Sequence, residues 1–144
     1  MAVFKTITDL ERIGDESVKI ARSALRMQAR NATVPVGFSG FRVAGNIAGG
    51  MLKDALDAFA RIDPDAGSKI VRQDVQMDEE FRRLLRELVT FILEDPTTIS
   101  TGLDIIWVGK ALERVGDHAK NIAEHVIYIA KGIDVRHRKD GIGL

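Results

Sequence analysis

The chain has no cysteine, only three prolines, one tryptophan and one tyrosine, and equal numbers of basic and acidic residues, 21 of each. Each scarcity excludes something. Without thiols there is no thiol catalysis, no thiolate zinc site and no cysteine-ligated iron–sulfur cluster, so any metal must be held by oxygen or imidazole. The lack of cysteine says nothing about redox compartment. A formal net charge of zero and a pI near 6.8 give no overall pull toward nucleic acid or anionic lipid. Neither is an expected direct partner. Charges interrupt every short apolar run in the first twenty residues, and the stretch from Val126 to Ala130 is far below the roughly 20 residues a spanning helix needs. A soluble, cytoplasmic protein is expected, touching membranes only through partners. At 144 residues it has the length of one ordinary domain, able to bury roughly two-thirds of its unfolded surface.

Pro35, Pro64 and Pro96 each stand between long apolar-periodic segments. Proline disfavours helical geometry in the residue before it and suits a first helical turn, so all three mark helix junctions. Helices are predicted over 2–31, 38–62, 65–94 and 97–131, the last ended by Gly132. In the fourth, Ile105, Val108, Leu112, Val115, Ala119, Ile122, Val126 and Ile129 alternate steps of three and four. Such a seam packs against antiparallel neighbours. The third repeats it with Ile70, Asp74, Met77, Phe81, Leu84, Leu88 and Phe91, one member being an aspartate. The second keeps the rhythm with Phe41, Ala44, Ala48, Met51, Ala55 and Phe59. Gly45, Gly49 and Gly50 there, each about 1 kcal/mol worse than alanine in a helix, suggest close helix contact. The class is all-α, built of long antiparallel helices. The residues after Gly132 read as a polar, solvated tail.

The chain matches itself at one place: DLERIGDESVKIA from Asp9 against ALERVGDHAKNIA from Ala111. The first copy stands near the start, the second after two more helices. A repeated helix suggests a repeated bundle. With LERIGD and LERVGD near the ends of two bundle helices, and LDAFARID and RQDVQMDEEF between them, the sequence resembles the PhoU family of phosphate-signalling regulators along essentially its whole length. The resemblance implies two tandem three-helix bundles, of which this chain would carry one complete bundle preceded by the last helix of another. On that reading residues 1–34 are the third helix of a first repeat, 35–132 a complete second repeat and 133–144 the tail.

The family motif, an acidic residue followed four positions later by aspartate, stands here as Glu11 with Asp15, Glu113 with Asp117, and Asp74 with Asp78. Two carboxylates four residues apart lie on one helix face about one turn apart, close enough to share an ion. Ion-paired solvated faces have the same spacing, and Glu113 and Asp117 fall away from the seam of their helix, beside Lys110, Arg114 and Lys120. Asp74 is different because it sits in a seam. A carboxylate buried there needs a cation or several hydrogen bonds, from Arg72 or Arg114, or from a metal shared with Asp78, Glu113 and Asp117. The resemblance implies metal ions or clusters at these motifs. An all-carboxylate shell suits hard cations such as Mg²⁺, Mn²⁺, Ca²⁺ or iron. The Glu11/Asp15 half-site lacks a matching middle helix and would be empty or completed by another subunit. His118 points about 100° away from Asp117 and reads as a surface or interface residue. Trp107 reads as core or an inter-helix anchor.

The glycines from Gly45 to Gly50 lack the lysine and hydroxyl residue of a phosphate-binding loop, and no strand precedes them. No glutamate is followed three residues later by the histidine of a di-iron bundle. Two functions of different class are left. The resemblance implies a non-enzymatic adaptor, acting with a phosphate ABC transporter and a sensor histidine kinase in phosphate-starvation signalling, with a divalent metal or iron cluster (Mg, Mn or Fe) at Asp74, Asp78, Glu113, Asp117, Glu11 and Asp15. The alternative is a metal-dependent phosphatase or hydrolase; it would require a general base or nucleophile beside the metal in a concave pocket. Leu10, Ile13, Ile20, Ala24 and Met27 form an apolar stripe on the first helix whose covering helices are missing. A dimer or higher oligomer is therefore expected.

Overall fold

The computed structural model describes residues 1–34 and 39–131. It contains four long helices, α1 (Ala2–Ala29), α2 (Ser39–Arg61), α3 (Pro64–Glu94) and α4 (Ile99–Lys131), with one 3₁₀ turn (Pro96–Thr98) leading into α4. The class is all-α, as the periodicity requires. Pro35, Gly132 and the tail lie outside the described residues.

The junctions follow from local chemistry. Both α1 and α2 end in a residue with positive φ, Asn31 at 49° and Ile62 at 52°. After α2, the Asp63 amide donates to the Ala58 carbonyl at 3.0 Å and the Ile62 amide to the Phe59 carbonyl at 3.3 Å. The same pair of bonds closes α1, from Ala32 to Met27 and from Asn31 to Gln28. Both are Schellman endings, which satisfy carbonyls that a helix terminus leaves unpaired. Asparagine tolerates the left-handed region; isoleucine, branched at Cβ, does so at a penalty. Asp63 then caps α3, its carboxylate accepting from the amides of Asp65 and Ala66, with Pro64 in the first turn. This two-residue turn makes α2 and α3 antiparallel neighbours. Asp95 shapes the next junction by accepting from the Thr97 amide at 3.1 Å and its hydroxyl at 2.6 Å. That turn is tighter than α-helical, so α4 starts at Ile99 and not at 97.

α2, α3 and α4 pack pairwise into a three-helix bundle, while α1 lies along α4 and makes no close backbone approach to α2 or α3 among the described residues. The bundle core joins Ala44, Ala48, Met51 and Ala55 to Ile70, Met77 and Leu84 and to Val115, Ala119, Ile122 and Val126. Burying each of the larger side chains contributes roughly 1.5–3 kcal/mol. The small residues that bring α2 close are these alanines. Gly45, Gly49 and Gly50 have nothing within 4 Å of where a Cβ would stand, so the close contact expected of them is corrected.

α1 meets α4 through a mostly polar ridge, Thr6, Asp9, Ile13, Glu16 and Ser23, all buried. Of the apolar stripe expected to be open, Ile13 joins the core, while the half-buried Ile20 and Met27 and the exposed Ala24 line an open groove with Phe41, Ile105 and Leu112. Leu10 is exposed, together with Val3, Phe4, Ile7, Val18 and Leu25.

Candidate metal centre

Helical spacing sets Asp74 one turn before Asp78 on α3, and Glu113 one turn before Asp117 on α4. Packing of α3 on α4 turns the two pairs toward each other. One carboxylate oxygen from each of Asp74, Asp78 and Asp117 can be chosen so that all three lie within 4.8 Å of one another. Gly116 makes the approach possible: a Cβ there would stand 3.1 Å from Met77 Cγ and 3.6 Å from Met51 Sδ. A Cβ there would require the Met77 side chain to give by a few tenths of an ångström. Gly14, the equivalent residue of LERIGD, has nothing within 4 Å. The second copy of the motif is packed and the first is open.

Asp74 is 7% exposed, and its Oδ1 is buried without a hydrogen-bond partner. Its other oxygen accepts from Lys120 Nζ at 3.3 Å. Neither expected guanidinium fills this role, since Arg114 stands 3.5 Å from Glu16 instead. Lys110 pairs with Glu113 at 2.6 Å. Around these two ammonium groups four carboxylates crowd together. Burial, the charges of Glu113 and Asp74, and a hydrogen bond shared with Glu113 push the Asp117 carboxyl up to about 7. Asp78 is also raised, by burial and by the charges of Asp74 and Glu113. Burial opposes the charge of Lys120, but the Asp74 carboxylate outweighs it and holds the ammonium above its ordinary range. Raised acids facing an unpartnered buried oxygen are what a cation would relieve. The donor set is oxygen only and fits a hard cation, with Asp74, Asp78 and Asp117 as ligands and Glu113 beside them.

Some expectations about this region need correction. Asp117, though away from the seam of its helix, is partly buried and not on a solvated face. Glu11 and Asp15, expected as a separate half-site, are exposed on α1 and apart from the cluster, which leaves that expectation standing. Trp107 is 59% exposed and anchors no core. His118 does stand at an interface, its Nδ1 2.9 Å from Asp9 Oδ1.

That interface holds a polar group that sequence reasoning missed. Asp9 of α1 is met by three α4 side chains, His118, Asn121 (Nδ2 to Oδ1, 3.2 Å) and His125 (Nε2 to Oδ2, 3.0 Å). Burial works against ionising Asp9, but hydrogen bonds from His125, His118 and Asn121 outweigh it and hold the carboxyl below its ordinary value. Nearer the end of α1, Arg26 and Arg30 both bind the buried Asp104. The available signal was the heptad rhythm of Thr6, Asp9, Ile13, Glu16 and Ser23, masked because most members are polar.

The geometry has counterparts among known proteins. A model of the PhoU domain matches residues 41–126, more than half of the sequence. The chain belongs to the PhoU family. Over 137 residues it is 47% identical to a Pseudomonas putida protein named "Phosphate-specific transport system accessory protein PhoU homolog", covering 95% of this chain and 53% of that one. The crystal structure of PhoU from Pseudomonas aeruginosa superposes with a TM-score of 0.87 at 45% identity, covering 92% of this chain and 63% of the other. That of the phosphate transport system regulatory protein PhoU from Streptococcus pneumoniae gives 0.83 at 26% identity, over 93% and 62%. The chain thus spans about half the length of the curated relatives it matches. The PhoU domain contains the whole α3–α4 acidic cluster, while α1 lies before the matched span. No helix among the described residues is long and apolar enough to cross a membrane.

Proposed function

We propose that the chain is a regulator of phosphate uptake and phosphate-starvation signalling, working as a cytoplasmic adaptor between a phosphate ABC transporter and a sensor histidine kinase. The observation that carries this is identity of 47% across 95% of the chain to a protein named for the phosphate-specific transport system. Within it, a divalent cation or iron cluster (Mg, Mn or Fe) is held by Asp74, Asp78 and Asp117, with Glu113 at its edge. Such an ion would tie α3 to α4 at their acidic face and present a fixed surface to partners. The isolated contact of α1 with α4, beside a complete α2–α4 bundle, supports reading residues 1–34 as the last helix of one repeat and 35–132 as a whole second repeat. Glu11 and Asp15 would then belong to the first repeat's site. The outward apolar residues of α1, Phe4 and Leu25 among them, support a homodimer formed through that helix.

The alternative, a metal-dependent phosphatase, has less support. The grouped ligands are all carboxylates, with no histidine joining them among the described residues, and the chain's relatives are named as accessory proteins. The test is complementation in a bacterium lacking its own PhoU and carrying a reporter driven by phosphate starvation. The chain should restore repression in high phosphate, and Asp74→Asn with Asp117→Asn should not. Full repression by the double variant would overturn the metal role. Phosphoester turnover by the manganese-loaded protein, lost in Asp117→Ala, would overturn the adaptor reading.

A further inference from the structure

The 21 cations and 21 acids of the chain are not evenly mixed. Between α1 and α4 lies an open cavity of about 350 Å³ lined by Lys19, Arg22, Arg26, Lys110, Arg114 and Trp107, with the buried Glu16 and Ser23 at its base. Glu16 is the acid in that lining, and it serves two cations, 2.8 Å from Lys19 Nζ and 3.5 Å from Arg114. Arg26 is paired with Asp104 and bonded to the Ser23 hydroxyl, and Lys110 is paired with Glu113. Arg22 has no acidic partner among the described residues, and Lys19 and Arg114 divide one charge between them. Positive charge is therefore in excess where the wall is concave, which raises local anion concentration.

Trp107 adds the second element. It is the chain's sole tryptophan, and at 59% exposed its indole gains little from the core. An indole left open beside guanidinium groups is a stacking surface for a flat ring. A bare phosphate ion would use the cations and leave the indole idle. An apolar ring alone would leave the cations unpaired. The volume lies in the range of small-molecule sites, roughly 300–1,000 Å³.

We infer that this groove binds a nucleotide, its phosphate chain held by Lys19, Arg22 and Arg114 and its base laid on Trp107. The groove contains none of Asp74, Asp78 and Asp117 and touches the acidic cluster only through the pairing of Lys110 with Glu113. Its success or failure leaves the proposed regulatory role untouched.

Trp107 reports on the site directly. Its fluorescence should be recorded while metal-free protein, in chelator, is titrated with ADP and ATP, with adenosine and inorganic phosphate as separate arms. Saturable quenching by the nucleotides is expected below about 1 mM, a dissociation constant worth about 4 kcal/mol. Arg22→Glu should weaken it by about tenfold or more, the scale of one lost charge-assisted contact. Both Arg22 and Lys53 are exposed, so neither reversal disturbs the core, and Lys53→Glu on α2 should leave the titration unchanged. No saturable quenching, equal affinity for adenosine, full competition by inorganic phosphate at the same concentration, or an Arg22→Glu protein that binds normally would each overturn the assignment.

Discussion

Replacing Asp117 by asparagine should stabilise the metal-free protein while removing its response to metal. The carboxyl of Asp117 is pushed from 3.8 to about 7 by burial and by Glu113, Asp74 and Asp78. A folded-state pKa above the unfolded one means that stability is fully present below about pH 3.8 and declines as pH rises through about 7. At about 1.4 kcal/mol per unit, complete ionisation would oppose folding by about 4 kcal/mol. The side chain is only partly buried, and solvent screening reduces that to about 2 kcal/mol. Asparagine keeps the shape without the charge. In chelator at about pH 8.5, Asp117→Asn should therefore melt about 6 °C higher than the parent, and the difference should shrink as pH falls and vanish below about pH 3.8. Manganese should reverse the order, because a ligand at a hundred times its dissociation constant adds about 2.7 kcal/mol to a protein that can bind it. Proton and metal compete for the same oxygens, so metal affinity should fall as pH drops below about 7. A parent protein whose metal-free stability does not fall between about pH 4 and 7, or a variant less stable than the parent throughout that range, would refute this account of the cluster.

Ile62→Gly should raise stability by about 1 kcal/mol, read by denaturant midpoint, because it relieves a β-branched residue at φ 52° in the Schellman ending of α2. Asp9→Ala leaves the 3% exposed His125 without its carboxylate; it should destabilise by roughly 1–3 kcal/mol and speed proteolysis within α1 while α2–α4 stay protected. Gly67→Ala brings a Cβ to 3.0 Å from the backbone carbonyl of Ala123, and since backbone cannot rotate away as a side chain can, thermal melting should report a loss of about 1–3 kcal/mol.

Reading the chain without its structure reached the helices to within one or two residues at most described ends. Proline and capping signals act within a few positions. Asp63 before Pro64, for example, begins α3 by local hydrogen bonding alone. The acid cluster was half legible. Asp74 in an apolar seam announced a buried charge, and i, i+4 spacing announced its pairing with Asp78. Its true salt partner, Lys120, was not legible, because the neighbouring cations Lys110, Arg114 and Lys120 differ only in how α4 is rotated against α3. For α1 the periodicity found only part of the buried face: Ile13 is buried but Leu10 stays outside, while the charged Asp9 and Glu16 are buried, since His118, His125 and Asn121 on α4 compensate one and Lys19 with Arg114 the other.

The sequence by itself determined the long helices, their breaks, the seams of the α2–α4 bundle and the pairing of carboxylates along each helix, because all of these arise from interactions within a few residues or from a 3.6-residue period. Only the tertiary structure decided that Asp74 and Asp78 meet Asp117 while Glu11 and Asp15 face outward, that Asp9 locks α1 to α4, and that a neutral chain concentrates positive charge around Trp107. Those outcomes depend on the rotation and close approach of one helix against another, which side-chain packing across the interface sets and which no periodicity along one helix encodes.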